Sequence, residues 1–170
     1  GTTRLYSGEA VSKADLPPRA VGALDEAVSV LGIARSLAGE GPLADTLLQL
    51  QRDSFVVGAE LATHPDKRDR LSRRVDAAFL AALETARDEA EASIVMPKDF
   101  IVPGGTPLSA HLDHARTVFR RCEREAARLA EVDFLDNPVV LSWLNRVSDY
   151  LWLLARQAEA VVRYLYPSAD

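Results

Sequence analysis

Five arginines stand close together in the run HARTVFRRCEREAAR: Arg116, Arg120, Arg121, Arg124 and Arg128. They are a local exception in an acidic chain, where 25 Asp and Glu against 20 Lys and Arg give a formal charge of −5. Guanidinium groups keep their charge and present forked donors, so a cluster of them suits a polyanion, and phosphate is the commonest small one. Upstream lies FIVPGG, which opens with Phe100, and downstream lies LNRVSDYLWLLAR. On a helix, at about 100° per residue, Arg116, Arg120, Glu123 and Arg124 fall beside an apolar side made by Leu112, Ala115, Val118, Phe119 and Cys122. Arg121 points elsewhere. In the downstream run Leu144, Val147, Leu151 and Leu154 make the buried stripe, with Asn145, Asp149, Trp152 and Arg156 at its border. The plain alternative is a solvated flank whose arginines snorkel and pair with Glu123 and Glu125. Two helices that both carry polar ligands at the core margin favour a cleft.

The elements that must position these residues are helical. The chain has 170 residues, about one domain, and its 48% hydrophobic and 26% charged content is ordinary for a globular protein. Apolar periodicity and breakers predict helices over about 17–37, 42–61, 69–91, 107–130 and 138–166. Thr106-Pro107 supplies an N-cap and first-turn proline for the fourth. Long amphipathic helices with short connections predict an all-α, antiparallel five-helix bundle. Residues 1–16 lack periodicity and read as an irregular arm ahead of a bundle over 17–170, one domain in all. Strand-like alternation is confined to residues 100–102.

Several function classes are disfavoured. No apolar run approaches the ~20 residues of a membrane span. The single cysteine, Cys122, cannot form an intrachain disulfide, which fits a reducing cytoplasm. The acidic balance lacks the broad basic face of a nucleic-acid binder. His111 and His114 are three apart and Glu60 precedes His64 by four, but the paired Glu-x-x-His sets of a di-iron bundle are missing, so no metal site is predicted. No Ser/His/Asp or Cys/His arrangement suggests a side-chain nucleophile.

Taken together, GTTRLYSGEAVSK at residues 1–13, Leu24-Asp25-Glu26, FIVPGG, RTVFRRCER and LNRVSDYLWLLAR resemble the PduO-type ATP:cob(I)alamin adenosyltransferases in order and spacing. RRxER followed downstream by LNRxSDYL is the specific part. The resemblance implies a trimeric bundle with active sites between neighbouring subunits. It implies transfer of the 5′-deoxyadenosyl group of ATP to the cobalt of cob(I)alamin, with triphosphate released, so that ATP, Mg2+ and cobalamin are the ligands. A reductase and an adenosylcobalamin-dependent enzyme are the implied partners. A bundle that binds ATP or adenosylcobalamin without turnover, as carrier or regulator, is the competing reading.

By matched position, Thr3, Arg4 and Lys13 resemble ATP contacts of the arm, continued by Arg120, Arg121, Glu123 and Arg124, with Asn145 holding the nucleotide from the fifth helix. Phe100 resembles the aromatic residue beneath the corrin, and Asp25 and Arg116 resemble a pair that meets across the subunit boundary. Arg120, Arg116 and Phe100 are the residues expected to carry catalysis. Two positions depart from the family. Of its TGDKG-like opening only Gly1 is matched, and Asp113 stands where His is often found. Co(I) in a corrin is already a strong nucleophile, so the chemistry asks for positioning and for stabilisation of the departing triphosphate. Arg120 is the expected principal donor. An apolar side chain under the ring, with no donor atom, would keep a lower axial ligand away from cobalt.

Overall fold

The computed structural model describes residues 1–159 and 162–165. Among them are a two-stranded hairpin, β1 (Thr2–Arg4) and β2 (Ala10–Ser12), and five α-helices: α1 (Leu16–Ala38), α2 (Pro42–Leu61), α3 (Ala77–Ala92), α4 (Pro107–Glu131) and α5 (Pro138–Gln157). A short 3-10 helix, Pro65–Arg70, lies between α2 and α3. The chain is mostly helical, as its periodicity predicts. None of the described helices is long and apolar enough to cross a membrane.

Local chemistry sets the helix starts. Prolines occupy the first turn of α1, α2, α4 and α5, where a missing N–H costs nothing. The Thr106 hydroxyl accepts from the Ser109 N–H at 3.0 Å while the Ser109 hydroxyl accepts from the Thr106 N–H at 2.9 Å, a reciprocal cap on α4. Asn137 caps α5 by accepting from Val139 N–H at 3.1 Å. Packing then follows the apolar faces. α1 lies against α2 and α4, α4 against α5, and α5 against α3. Phe119, Leu129, Trp143, Leu144 and Leu151 are fully enclosed in the shared core. Gly58 lets α2 come close to α1, since a Cβ there would sit 3.2 Å from Leu24.

Three sequence expectations need correction. Residues 1–16 are not irregular: Thr2–Arg4 pairs antiparallel with Ala10–Ser12, Thr3 opposite Val11. Strands of three residues are too short for alternation to register. The hairpin is tied down by Tyr6 N–H to the Ala62 carbonyl at 3.0 Å, by His64 N–H to the Ser7 hydroxyl at 3.0 Å and by a Lys67–Glu9 ion pair.

The third helix begins at Ala77 and not near 69. Leu71 and Val75 have helical spacing, but both main-chain groups of Val75 are claimed by distant partners. Its N–H donates to Glu60 at 2.7 Å, and its carbonyl accepts from Asn137 at 2.7 Å. A helical residue would have spent these on its own turn.

The fifth helix stops at Gln157. The carbonyl of Ala158 is intercepted by the Thr106 hydroxyl at 3.0 Å. Beyond it the chain turns back as an antiparallel partner for residues 100–102: Ile101 pairs with Tyr164, Val102 N–H donates to the Arg163 carbonyl at 2.7 Å, and Leu165 N–H donates to the Phe100 carbonyl at 2.8 Å. The alternation read at 100–102 has its use here. Tyr166, the expected helix end, lies outside the described residues.

Candidate active site

The arginines of α4 divide into two kinds. Arg128 is spent on Glu125, at 3.1 Å to both oxygens, and Arg121 on Glu26 of α1, which holds the Glu26 carboxyl below its ordinary range. Arg116 reaches Asp113 through Nε at 3.3 Å. Arg120 and Arg124 meet no carboxylate among the described residues; Arg124 Nη1 bonds only the Arg120 carbonyl, at 3.0 Å. Glu123, on the same flank, accepts from Asn145 Nδ2 at 3.1 Å and so joins α4 to α5. The plain alternative of arginines neutralised by Glu123 and Glu125 therefore accounts for Arg128 and leaves Arg120 and Arg124 as exposed, unpaired cations.

Two clefts hold Phe100, Arg116, Thr3, Arg4 and Asp25. One, of about 650 Å³, is walled by Phe100, Lys98, Arg116, Asp113, Trp152 and Arg156. Phe100 is 77% exposed although it is a large apolar group, and its ring contributes to this wall rather than to the core. Arg156 was expected at the border of its helix but is 6% exposed, and Asp113 is 4% exposed. They form an ion pair, Arg156 Nη2 to Asp113 Oδ2 at 2.5 Å, and the same Nη2 reaches Glu159 at 3.0 Å. The Arg156 guanidinium lies 5.3 Å from the centre of the Trp152 ring. Its Nε and Nη1 have no hydrogen-bond partner among the described residues. Burial raises the Glu159 carboxyl above its ordinary range, opposed by Arg156.

The second cleft, about 590 Å³, lies between the hairpin, α1 and α2, with Thr3, Arg4, Asp25, Phe55 and Gly58 among its walls. Arg4 Nη1 donates to the Gly8 carbonyl at 3.0 Å, across the hairpin turn. Lys13 is exposed and belongs to neither cleft, as do Arg120, Arg121, Arg124 and Asn145. Asp25 and Arg116 line different clefts and do not pair within the chain. One chain thus gathers Phe100 with Arg116, and Thr3 and Arg4 with Asp25, but does not bring the two groups together.

Cys122 is no hidden nucleophile. Its thiol is buried against the Ala20 carbonyl at 3.7 Å, and burial pushes its pKa up to about 12. Among the described residues no three His, Cys, Asp or Glu side chains gather as metal ligands.

A family model described as cobalamin adenosyltransferase matches residues 1–158. The chain belongs to the cobalamin adenosyltransferase family. It is 35% identical over 159 residues to the corrinoid adenosyltransferase of Citrobacter freundii, a match covering 94% of this chain and 90% of that protein. A corrinoid adenosyltransferase of Mycobacterium tuberculosis is 37% identical over 169 residues, covering 93% and 83%. Among solved structures, a phenylalanine-to-alanine variant of the PduO-type ATP:corrinoid adenosyltransferase from Lactobacillus reuteri, complexed with cobalamin and ATP, superposes with a TM-score of 0.86. Its identity is 31%, and the match covers 99% of this chain and 95% of that one. Adenosyl transfer to a corrinoid is accordingly the reaction of this enzyme.

In this cobalamin adenosyltransferase chain the sequence reading overlooked the Asp113–Arg156 pair, because it took Asp113 only as a replaced His. A signal was present. Asp113 follows Leu112 on the apolar side of α4, and a charge placed there demands a buried partner of opposite sign. Arg156, inside the apolar run LWLLAR, is that partner. Trp152, read at the border of the buried stripe, walls the Phe100 cleft.

Proposed function

We propose that the chain transfers the 5′-deoxyadenosyl group of ATP to cob(I)alamin and releases triphosphate, at a site completed between subunits of a cytoplasmic homotrimer. One catalytic domain spans residues 1–170, an ATP-binding arm leading an antiparallel five-helix bundle. The observation that carries this reading is the division of the site residues: each chain holds half of a site, with Phe100 and Arg116 in one cleft and Thr3, Arg4 and Asp25 in the other. A neighbour that presents its hairpin and α1 to the Phe100 cleft would unite them and would let Asp25 meet Arg116.

In this assignment Arg120 and Arg124, charged and unpaired, bind the triphosphate together with Arg4 and Lys13. Arg121 flanks the site from its pair with Glu26, and the Glu123–Asn145 contact fixes the amide that holds the nucleotide. Mg2+ arrives with the phosphates. Developing charge on the leaving triphosphate is stabilised by preorganised guanidinium groups, worth about 3 kcal/mol for a well-placed donor. Phe100 offers cobalt no ligand atom and excludes water from its lower face. A reductase supplies the electron for Co(I), and an adenosylcobalamin-dependent enzyme receives the product.

Anaerobic incubation with ATP, Mg2+ and chemically reduced cobalamin tests the proposal. The expected result is the visible spectrum of an alkylcobalt product together with free triphosphate. Binding of both ligands without conversion would instead identify a carrier or regulator. No uptake of either would remove the reading altogether.

A further inference from the structure

Four charged side chains form a line that starts inside the bundle and ends in the Phe100 cleft. Arg156 Nη2 donates to Glu159 at 3.0 Å and to Asp113 Oδ2 at 2.5 Å, and Asp113 Oδ1 accepts from Arg116 Nε at 3.3 Å. Side-chain exposure is 2% at Glu159, 3% at Arg156 and 6% at Asp113, then rises to 27% at Arg116, which walls the cleft. The three inner members are packed in place, with the Trp152 ring 5.3 Å from the Arg156 guanidinium. An exposed Asp–Arg pair three residues apart on a helix contributes little, since both partners are free to move. This pair differs, because its carboxylate stands on α4 and is pinned by a buried cation of α5. One half of the Arg116 contact is fixed before Arg116 joins it.

Arginine carries much rotamer freedom, and a guanidinium oriented in advance gives up less of it on binding. Arg120 and Arg124, farther along α4, meet no such anchor among the described residues. We infer that Asp113 is a positioning residue for the corrinoid half of the site: it holds Arg116 by Nε, with Arg156 and Glu159 as its buried anchor, and leaves the two Nη groups for Asp25 of the partner subunit and for the corrinoid. This rests on the adenosyltransferase reading, which puts Arg116 beside Phe100 and against Asp25 across the boundary, and deepens it. Asp113, which stands where the family often has His, acts on the reaction through Arg116 and touches no substrate itself.

The test is steady-state adenosylation by the full-length protein with ATP, Mg2+ and chemically reduced cobalamin. It compares wild type, R116A, D113L/R156M and the triple variant. Replacing both members of the buried pair by apolar side chains of similar bulk removes the anchor without stranding a charge, a change that folded proteins tolerate. D113L/R156M is expected to raise the KM for cob(I)alamin roughly tenfold, a coupling ordinary for residues in contact, while the KM for ATP stays unchanged. Added to R116A, the same two substitutions should change the cob(I)alamin KM by less than about twofold, because the residue they act through is gone. A merely structural pair would weaken both backgrounds alike. That result overturns the inference, as does an unchanged cob(I)alamin KM in D113L/R156M, and both leave the adenosyltransferase reading standing. R116A with wild-type kinetics removes Arg116 from the site and the inference with it. No turnover by wild type sinks the reading as well. Should D113L/R156M not fold, D113A/R156Q takes its place with the same expected ratios.

Discussion

The two ends of α5 handle buried charge in opposite ways. At the N-terminal end Glu60, fully enclosed, accepts from Val75 N–H at 2.7 Å, from Arg74 at 3.1 Å and from Asn137 at 3.0 and 3.1 Å, and Asn137 in turn caps the helix. Both Glu60 oxygens are used. At the C-terminal end Arg156 is almost as deeply enclosed, yet Nε and Nη1 have no partner among the described residues; farther back, where Glu123 meets Asn145, the flank of α4 exposes Arg120 and Arg124 with no carboxylate partner among the described residues. The Glu60 carboxylate at the first end has every oxygen in use and locks the 71–76 segment to two helices, although the buried Arg68 beside Asp136 keeps an Nε with no partner among the described residues. The second end is the more open of the two, kept in place by Asp113.

Mutations at the two ends should therefore be felt in different measurements. Glu60→Ala strips the shared acceptor from the buried Val75 N–H, the half-buried Asn137 amide and the exposed Arg74, and is expected to cost about 3 kcal/mol of folding stability, seen as a lowered denaturation midpoint. Nucleotide affinity of the protein that remains folded should be unchanged. Arg120→Ala is its mirror image. Turnover should drop about 100-fold, near 3 kcal/mol of transition-state stabilisation, with an unaltered thermal midpoint. A stable, near-normally active Arg120→Ala enzyme would remove Arg120 from the proposed site.

Phe100→Ala, at a side chain 77% exposed, should change stability by no more than ~0.5 kcal/mol. Electron paramagnetic resonance of cob(II)alamin bound with ATP should reveal more of the form that keeps a lower axial ligand. An unchanged spectrum would confine Phe100 to a packing role. The smallest effect belongs to the hairpin. Lys67 and Ser7 lower the Glu9 pKa from 4.5 to about 2. Since the folded value lies below the ordinary one, this contribution is complete above pH 4.5 and is lost as pH falls toward 2. Acid should accordingly lower the amide protection factors of residues 1–13, measured against the intrinsic exchange rate at each pH, before it disturbs the core, and Lys67→Ala should produce the same loosening at neutral pH.

Helix type and most boundaries were legible because prolines, caps and four-residue spacing agree in α1, α2, α4 and the start of α5. The two helix-boundary errors share one cause. Val75 and Ala158 have main-chain groups captured by residues far away in sequence, Glu60 and Asn137 in one case and Thr106 in the other, and no local pattern announces such captures. Of the site, the α4 cations and Phe100 could be named from residue type and motif, and the structure divides the cations into paired and unpaired, which spacing alone does not. The Asp113–Arg156 pair went unread because each partner was judged against its own helix, and its meaning lies only in their meeting.

The short ladder beside Phe100 has a practical outcome. Its rungs run from Leu165 to the Phe100 carbonyl and from Val102 to the Arg163 carbonyl, and main-chain atoms supply all of them. The backbone at position 100 is thus clamped independently of what hangs from it. Any side chain grafted there inherits the same perch, so a library at this single codon would vary the chemistry presented to the cleft while the mounting stays put.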